Sequence, residues 1–203
     1  MKAILVNEDK SLRWDNVPDP IIKSDEVLVK IEAAALNRAD LMQRAGDYPP
    51  PPGCPEWMGL EIAGTITQVG PEAARKSAWK VGDKVCALLG GGGYAEYCVV
   101  PESQTLTIPA GVSFVQAAAI PETFFTVWAN VFQMGKAKAG ETALIHGGTS
   151  GIGTTALMLC NALGLKTFAT VGSDEKVQAI SHLTTAINYK TQDFEQEIQA
   201  ATD

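Results

Sequence analysis

The first hundred residues contain short apolar runs that are separated by turn residues. Four of these runs span residues 2–6, 26–33, 60–68 and 84–88. They alternate or run apolar between Gly, Pro, Asp and Asn, which predicts β-strands. Four glycines at 90–93 predict a turn before a further strand at 94–100, because a glycine run loses the most backbone entropy on ordering. We therefore expect a twisted, partly open β-barrel here, with an extended loop at the proline run 49–52.

The pattern changes near Pro109 and becomes an alternation of helices and strands. A helical run is predicted over 121–134, where Gly135 ends it. Three strand–helix pairs follow: strands 142–146, 166–171 and 186–189, and helices 151–163, 174–183 and 194–201. Three consecutive βα units predict the first half of a Rossmann doubly wound parallel sheet. The fold class is thus α/β plus β, with a first domain at 1–120 and a nucleotide-binding domain at 121–203.

Composition and charge narrow the classes of partner. The chain has 203 residues and a formal net charge of −7. It has no basic run long enough to neutralise a row of phosphates, so we expect no nucleic acid as a partner. No apolar stretch approaches the ~20 residues of a bilayer span, and the N-terminus lacks the apolar core of a secretory signal. We expect no membrane association, a cytoplasmic location, and four reduced cysteines, which lack the close pairs of a zinc site or redox dithiol.

A glycine-rich turn stands between the strand at 142–146 and the helix that follows it. The turn contains Gly147, Ser150, Gly151, Ile152 and Gly153. Glycines let a backbone approach a pyrophosphate, and the free N–H groups of a first helical turn point at the anion. The spacing differs from the usual G-x-G-x-x-G, and a plain strand-to-helix turn is the alternative reading. The βα units that follow favour a dinucleotide-binding turn.

The end of the second strand of this region bears on which cofactor is bound. An acidic residue at that point binds the ribose hydroxyls of NAD. Here the strand is followed by Gly172 and Ser173, and Lys176 lies close behind. A hydroxyl and a cation suit a 2′-phosphate, so NADPH is predicted. Asp174 and Glu175 oppose this prediction if they point inward.

Several motifs together resemble one family. They are Asn37-Arg38-Ala39-Asp40, Gly59-Leu60-Glu61, Val81-Gly82-Asp83-Lys84-Val85, Ala117-Ala118-Ala119-Ile120-Pro121-Glu122-Thr123, and residues 146–153. This set resembles the quinone oxidoreductase branch of the medium-chain dehydrogenase/reductase superfamily. Residues 36–44, Tyr48 and the proline run are most similar to its tumour-suppressor-induced type and bacterial relatives.

The resemblance implies a GroES-like catalytic domain, a Rossmann domain for NADPH, and an active site in the cleft between them. It places Asn37 and Asp40 near the nicotinamide and Tyr48 over the acceptor. It places Thr126 near the nicotinamide ribose or carboxamide, and Tyr189 beside the adenosine phosphate. The alternatives remain open: Asn37 and Asp40 as cap and first-turn residues of a short helix, Tyr48 as a rim aromatic, Thr126 as a helix-interior residue, and Tyr189 as a strand-end aromatic.

The resemblance also bears on metal and chemistry. Zinc-dependent relatives have a cysteine near Leu36 and Gly-His-Glu where this chain has Gly59-Leu60-Glu61. Leucine does not coordinate metal, so no zinc site is expected and Glu61 is interpreted as structural. The expected reaction is hydride transfer from NADPH to a small-molecule quinone or other electrophilic acceptor.

Family members continue with further Rossmann strands, through which they commonly dimerise. We interpret the chain as a fragment or short form of a longer protein, a homo-oligomer (dimer) when complete. Two alternative functions stay open: an enoyl or alkenal reductase on the same scaffold, and a cofactor-binding protein without turnover.

Overall fold

A computed structural model describes residues 1–202 of the protein. The contacts within the chain divide it into two units, and the division falls between Glu122 and Thr123. The sequence predicts this boundary between residues 120 and 121. Asp203, the predicted end of the nucleotide-binding domain, lies outside the described residues.

The first unit is built on a curled antiparallel sheet. Its strands are β1 (Lys2–Val6), β2 (Leu12–Asn16), β3 (Glu26–Ala34), β4 (Glu61–Val69), β5 (Lys84–Leu88), β6 (Tyr97–Pro101) and β7 (Thr105–Thr107). The last five lie in the order β6-β3-β4-β5-β7, while β1 and β2 form a separate antiparallel pair. Irregular pairing of β3 with β4 at Leu28/Val29 and Ile31/Ala33 bends the sheet. The prediction of a partly open barrel is therefore confirmed as a curled half-barrel.

The inner face of this sheet holds the core of the first unit. Val27, Val29, Ile62, Ile66 and Val85 are all fully buried and pack together. Burying a side chain of this size stabilises the fold by about 1.5–3 kcal/mol. Three short helices surround the sheet: α1 (Arg38–Ala45), α2 (Ala73–Lys76) and α3 (Phe114–Ala117).

Some elements differ from the sequence prediction. Strand β2 is not among the predicted strands, because its two apolar residues, Leu12 and Trp14, are too few to mark a strand. All five of its residues are exposed. Strand β6 begins at Tyr97 rather than at residue 94. The reason is that the amides of Tyr94 and Glu96 donate to Met58 and Lys2 instead of joining the ladder with β3. The predicted turn at 90–93 and the loop at 49–52 are confirmed.

The second unit contains a parallel sheet. Its strands are β8 (Thr142–His146), β9 (Lys166–Val171) and β10 (Thr185–Asn188), in the order β10-β9-β8. Its helices include α5 (Gly151–Ala162), α6 (Asp174–Ile180) and α7 (Phe194–Thr202). Three βα units in this order confirm the prediction of the first half of a Rossmann sheet. Helix α6 ends before the predicted residue 183, because the amides of Ser181 and Leu183 donate only three residues back, to the Gln178 and Ile180 carbonyls.

The helical run predicted over 121–134 consists of two different helices. Helix α4 covers Pro121–Val127, and a π-helix covers Trp128–Met134. The Asn130 side-chain amide donates to the Thr126 carbonyl at 2.8 Å. Gly135 ends the run as predicted, and its amide donates to the Asn130 carbonyl five residues back. The wider π turn is a change of helix type that apolar periodicity does not reveal.

All four cysteines are free thiols, and three of them are buried. Burial raises the pKa of Cys98 to about 12. Burial also raises the pKa of Cys86, with a contribution from the Glu61 carboxylate, and that of Cys160. Cys54 is half-buried.

Candidate functional site

Asn37 and Asp40 stand together at the start of α1. Asn37 is the N-cap residue and Asp40 lies in the first turn. The Asn37 backbone amide donates to Asp40 Oδ2 at 2.7 Å. Both residues therefore have the helix-start position that the sequence left open as their structural alternative. Their predicted role beside a nicotinamide stays a prediction.

Asp40 is nearly fully buried and has a second donor. The Tyr94 hydroxyl donates to Asp40 Oδ2 at 2.7 Å and also lies 3.0 Å from the Ala35 carbonyl oxygen. Burial and this carboxylate raise the pKa of Tyr94. Within residues 1–202, Asp40 Oδ1 is buried without a hydrogen-bond partner. A buried oxygen of this kind has the capacity to accept one more donor.

Glu61 links the start of α1 to the start of α4. Its side chain is buried, Oε1 accepts from Asn37 Nδ2, and Oε2 accepts from the Glu122 backbone amide, both at 2.8 Å. Burial raises the pKa of Glu61 despite these two bonds, and nearby Asp40 adds to the effect. Burial is the main cause that raises the pKa of Glu122, and the nearby Glu61 and Asp40 carboxylates add to the effect. The structural role expected for Glu61 is thus that of an acceptor for two helix starts.

Sequence reasoning missed Tyr94 and Glu122 as members of this network, which we call the acidic network (Asn37, Asp40, Glu61, Tyr94 and Glu122). Tyr94 follows the glycine run and has no local signature of a carboxylate partner. Glu122 follows Pro121 at the start of α4. The backbone amide of a residue at this position has no acceptor within its own helix, and this is the one signal in the sequence that the Glu122 amide needs an acceptor elsewhere.

The remaining predicted residue of this unit, Tyr48, is not in the acidic network. It lies in the loop after α1 and is 40% exposed. This exposure fits the rim position that the sequence predicted. Its contact with an acceptor stays a prediction.

In the second unit, the glycine-rich turn joins β8 to α5. Ser150 is the N-cap residue of α5, and its Oγ accepts from the Gly153 amide at 2.9 Å. The amides of Gly147 and Gly148 both donate to the Thr170 carbonyl of β9. A Cβ placed on Gly153 would lie 2.3 Å from the Gly147 carbonyl oxygen, so only glycine fits at this point.

Two amides at the start of α5 remain available to a ligand. Those of Gly151 and Ile152 are the first in α5, and neither has an acceptor in the described part of the chain. The sequence predicted a set of free amides at this helix start. Fewer amides are free in the structure than the sequence predicts, because oxygen atoms of the chain accept from the amides of Gly147, Ser150 and Gly153.

The residues predicted to hold the adenosine phosphate gather at the end of β9. The Tyr189 ring covers Gly172, where an added Cβ would lie 3.0 Å from the Tyr189 hydroxyl. Ser173 is the N-cap residue of α6, and its Oγ accepts from the Lys176 amide at 3.3 Å. The Lys176 residue is exposed. Thr126, the other predicted cofactor residue, is half-buried within α4.

Within residues 1–202 the structure contains neither a metal-binding cluster nor a membrane-spanning helix. No group of three or more His, Cys, Asp or Glu side chains there is arranged to hold a metal ion. Leu36, at the position of the missing cysteine ligand, is 86% exposed. None of the helices in that range has the length and apolar character that a bilayer crossing needs.

The model of the alcohol dehydrogenase GroES-like domain matches residues 23–110. With the Rossmann half-sheet and its glycine turn, this defines the two-domain dehydrogenase/reductase class. The chain belongs to the medium-chain dehydrogenase/reductase superfamily, which confirms the resemblance drawn from its motifs.

Among curated proteins, the chain is similar to the synaptic vesicle membrane protein VAT-1 homolog of Danio rerio, with 36% identity over 182 residues, 89% of this chain and 37% of the relative. It is similar to the quinone oxidoreductase of Mus musculus, with 35% identity over 157 residues, 77% of this chain and 46% of the relative. The chain spans about half the length of the curated quinone oxidoreductases that it matches.

Three solved structures are similar over nearly the whole chain. The quinone oxidoreductase of Pseudomonas syringae pv. Tomato DC3000 has a TM-score of 0.85 and 32% identity, covering 100% of this chain and 63% of that one. CurK enoyl reductase has a TM-score of 0.88 and 27% identity, covering 99% and 63%. The Escherichia coli quinone oxidoreductase complexed with NADPH has a TM-score of 0.81 and 28% identity, covering 99% and 61%.

Proposed function

We propose that the protein to which this chain belongs is an NADPH-dependent quinone oxidoreductase that works without zinc. The observation that carries the proposal is the turn at 147–153. Gly153 leaves no room for a side chain, and the amides of Gly151 and Ile152 lack an acceptor within residues 1–202. A turn with a close backbone approach and free amides at a helix start fits the pyrophosphate of a dinucleotide.

The residues at the end of β9 fit the 2′-phosphate of NADPH. Ser173 offers a hydroxyl, Lys176 an exposed ammonium, and Tyr189 a second hydroxyl close to Gly172. The NADPH complex of the Escherichia coli relative supports this choice of cofactor. NADPH supplies the hydride when bound, so the protein has to bind and orient it and exclude water.

The first unit supplies the acceptor side in this proposal. Buried Asp40 fixes the start of α1 and Glu61 holds half-buried Asn37, so the acidic network presents Asn37 to the hydride acceptor as a preorganised polar group, with Asp40 directly behind it. Tyr48 covers the acceptor from the loop after α1. A quinone accepts hydride without a strong Lewis acid, so the proposed reaction needs no zinc at these residues. The complete protein is proposed to be a cytoplasmic homodimer.

Stopped-flow absorbance of NADPH tests the proposal. A full-length protein and the 203-residue chain are mixed with NADPH and a short-chain quinone. We expect rapid loss of NADPH absorbance with the full-length protein. The proposal fails if the full-length protein leaves NADPH unchanged with every quinone while the turn binds the cofactor.

An enoyl or alkenal reductase is the second candidate, favoured by the similarity to CurK enoyl reductase. Both reactions need the same hydride donor, so the acceptor decides between them. A comparison of kcat/KM for a quinone and for an α,β-unsaturated carbonyl separates the two functions. A third candidate is a cofactor-binding protein without turnover, which needs only the turn at 147–153 and the residues at the end of β9. It predicts that NADPH quenches tryptophan fluorescence while no acceptor is reduced.

A further inference from the structure

Asn188, the last residue of β10, has a buried side chain with two defined partners. Its Nδ2 donates to Asp174 Oδ1 at 2.7 Å, and its Oδ1 accepts from the Lys190 amide at 3.2 Å. A carboxylate only accepts and a backbone amide only donates, so these partners determine the orientation of the Asn188 amide. The backbone of Asn188 is also held, because its amide donates to Gln192 Oε1 at 3.1 Å.

Asp174 is the carboxylate that stands next to the proposed 2′-phosphate position. It follows Ser173 directly and begins α6, whose exposed first turn also contains Glu175 and Lys176. A carboxylate that turned toward a bound phosphate dianion would repel it, and the repulsion of like charges is felt over several ångströms near a protein surface. The bond to Asn188 instead holds Asp174 Oδ1 at the end of β10.

We propose that Asn188 is a positioning residue for cofactor preference. By donating to Oδ1, it fixes the orientation of the Asp174 carboxylate, which is then not free to turn toward a phosphate bound at Ser173 and Lys176. The sequence left the effect of Asp174 open, and in this proposal the bond favours a 2′-phosphorylated cofactor. The inference rests on the proposed function, because it assumes that the turn binds NADPH.

Two small ligands test the inference without any acceptor. Isothermal titration calorimetry on the 203-residue chain measures the affinities for 2′,5′-ADP and 5′-AMP, which differ only in the 2′-phosphate. In the wild-type chain we expect 2′,5′-ADP to bind more tightly. In N188A, Asp174 is released, and we expect the preference to fall about tenfold through weaker 2′,5′-ADP binding. In the double variant D174N/N188A the preference returns to within about twofold of wild type.

The rescue separates positioning from a merely structural role. If Asn188 only stabilised the loop after β10, removal of the Asp174 charge would not restore the preference, and the inference would be overturned. An unchanged preference in N188A would also overturn it. A wild-type chain that shows no preference for 2′,5′-ADP would contradict the proposed NADPH function itself.

The D174N variant changes an exposed residue and gives a second measurement, which does not depend on the folding of N188A. Because Asn188 already fixes the Asp174 carboxylate in the wild-type chain, we expect D174N to change the preference less than about threefold. A rise of tenfold or more would mean that the carboxylate already acts on the phosphate position, and would overturn the inference.

Discussion

The acidic network of the first unit and the glycine turn of the second are built in opposite ways. The network joins side chains that are far apart in sequence: Asn37 and Glu61 are 24 residues apart, and Asp40 and Tyr94 are 54 apart. The turn is formed by the backbone of residues 147–153 and is capped by Ser150 from within. The comparison shows that a backbone site depends on which side chains are missing, whereas a side-chain site depends on how the whole unit folds.

The largest expected effect comes from filling the backbone site. In G153A the new Cβ meets the Gly147 carbonyl oxygen at 2.3 Å, so the turn has to open. We expect the free energy of unfolding to fall by about 3 kcal/mol. We also expect NADPH affinity to fall about a hundredfold, because the amides proposed to bind the pyrophosphate move. Urea unfolding and calorimetry measure the two quantities.

The matched stability control for this variant lies two residues earlier. In G151A the new Cβ meets only the Thr123 methyl group, at an ordinary 3.5 Å. Its unfolding free energy is expected to stay within about 0.5 kcal/mol of wild type or to rise, because alanine favours a helix over glycine. Equal destabilisation of G151A and G153A would contradict the close approach at Gly153.

The next largest effect is expected when one member of the acidic network is removed. In D40A the Asn37 amide and the Tyr94 hydroxyl lose a common buried acceptor, so we expect a loss of about 2 kcal/mol in unfolding free energy. D40N keeps one oxygen for both donors and removes a charge beside Glu61 and Glu122, so its loss is expected to be less than half as large. Urea unfolding measures both. If D40N were as unstable as D40A, the charge rather than the hydrogen bonds would hold the network.

A smaller effect is expected from the cap of the turn. S150A removes the hydroxyl that accepts from the Gly153 amide. The expected loss is about 1 kcal/mol in unfolding free energy, as for other N-cap serines. S150T keeps a hydroxyl at the cap and is expected to retain most of that stability. Thermal unfolding of both variants measures the difference, and no loss in S150A would show that water replaces the cap.

The smallest expected effect is the pH dependence of the unfolding free energy that arises from the first unit. Burial raises the pKa of Glu61 and Glu122, so the folded state keeps their protons to higher pH than the unfolded state does. The unfolding free energy should therefore decrease as pH rises from the ordinary glutamate value through the raised pKa values. The exposed Asp9, Asp15 and Glu72 have lowered pKa values and act below this window. Urea unfolding from about pH 5 to about pH 8 measures the slope.

E122Q is the variant that tests the origin of this slope. It removes one of the two titrating carboxyls but leaves the backbone amide that donates to Glu61. We expect a shallower slope than in wild type. An identical slope in E122Q would assign the pH dependence to other groups.

Local patterns sufficed for the parallel sheet and for the glycine turn. The strands β8 and β9 lie where the apolar runs predicted them, and Gly153 stands where the sequence required a close approach. Both features depend on residues that are near each other in the chain, so short-range physics determines them. The end of α6 and the π-helix were missed, because apolar periodicity does not distinguish helix types or a final loose turn.

The acidic network needed the folded structure. Asn37, Asp40 and Glu61 were singled out by motif, but nothing near them in sequence indicates Tyr94 as the donor to Asp40. Likewise, the sequence indicates that Asp174 opposes phosphate binding if it points inward, but it does not indicate its partner Asn188, which lies 14 residues away on β10. Long-range pairings of this kind follow from strand order, which single residues do not encode.

The burial of the thiols has a chemical consequence under the proposed function, in which the hydride acceptor is a quinone or an enone. Such acceptors alkylate thiolates by conjugate addition, and the thiolate is the reactive form of cysteine. Cys86, Cys98 and Cys160 are buried and have raised pKa values, so they stay protonated and out of reach of these electrophiles. Of the four thiols, the half-buried Cys54 is therefore the one left open to covalent attack by the proposed acceptors.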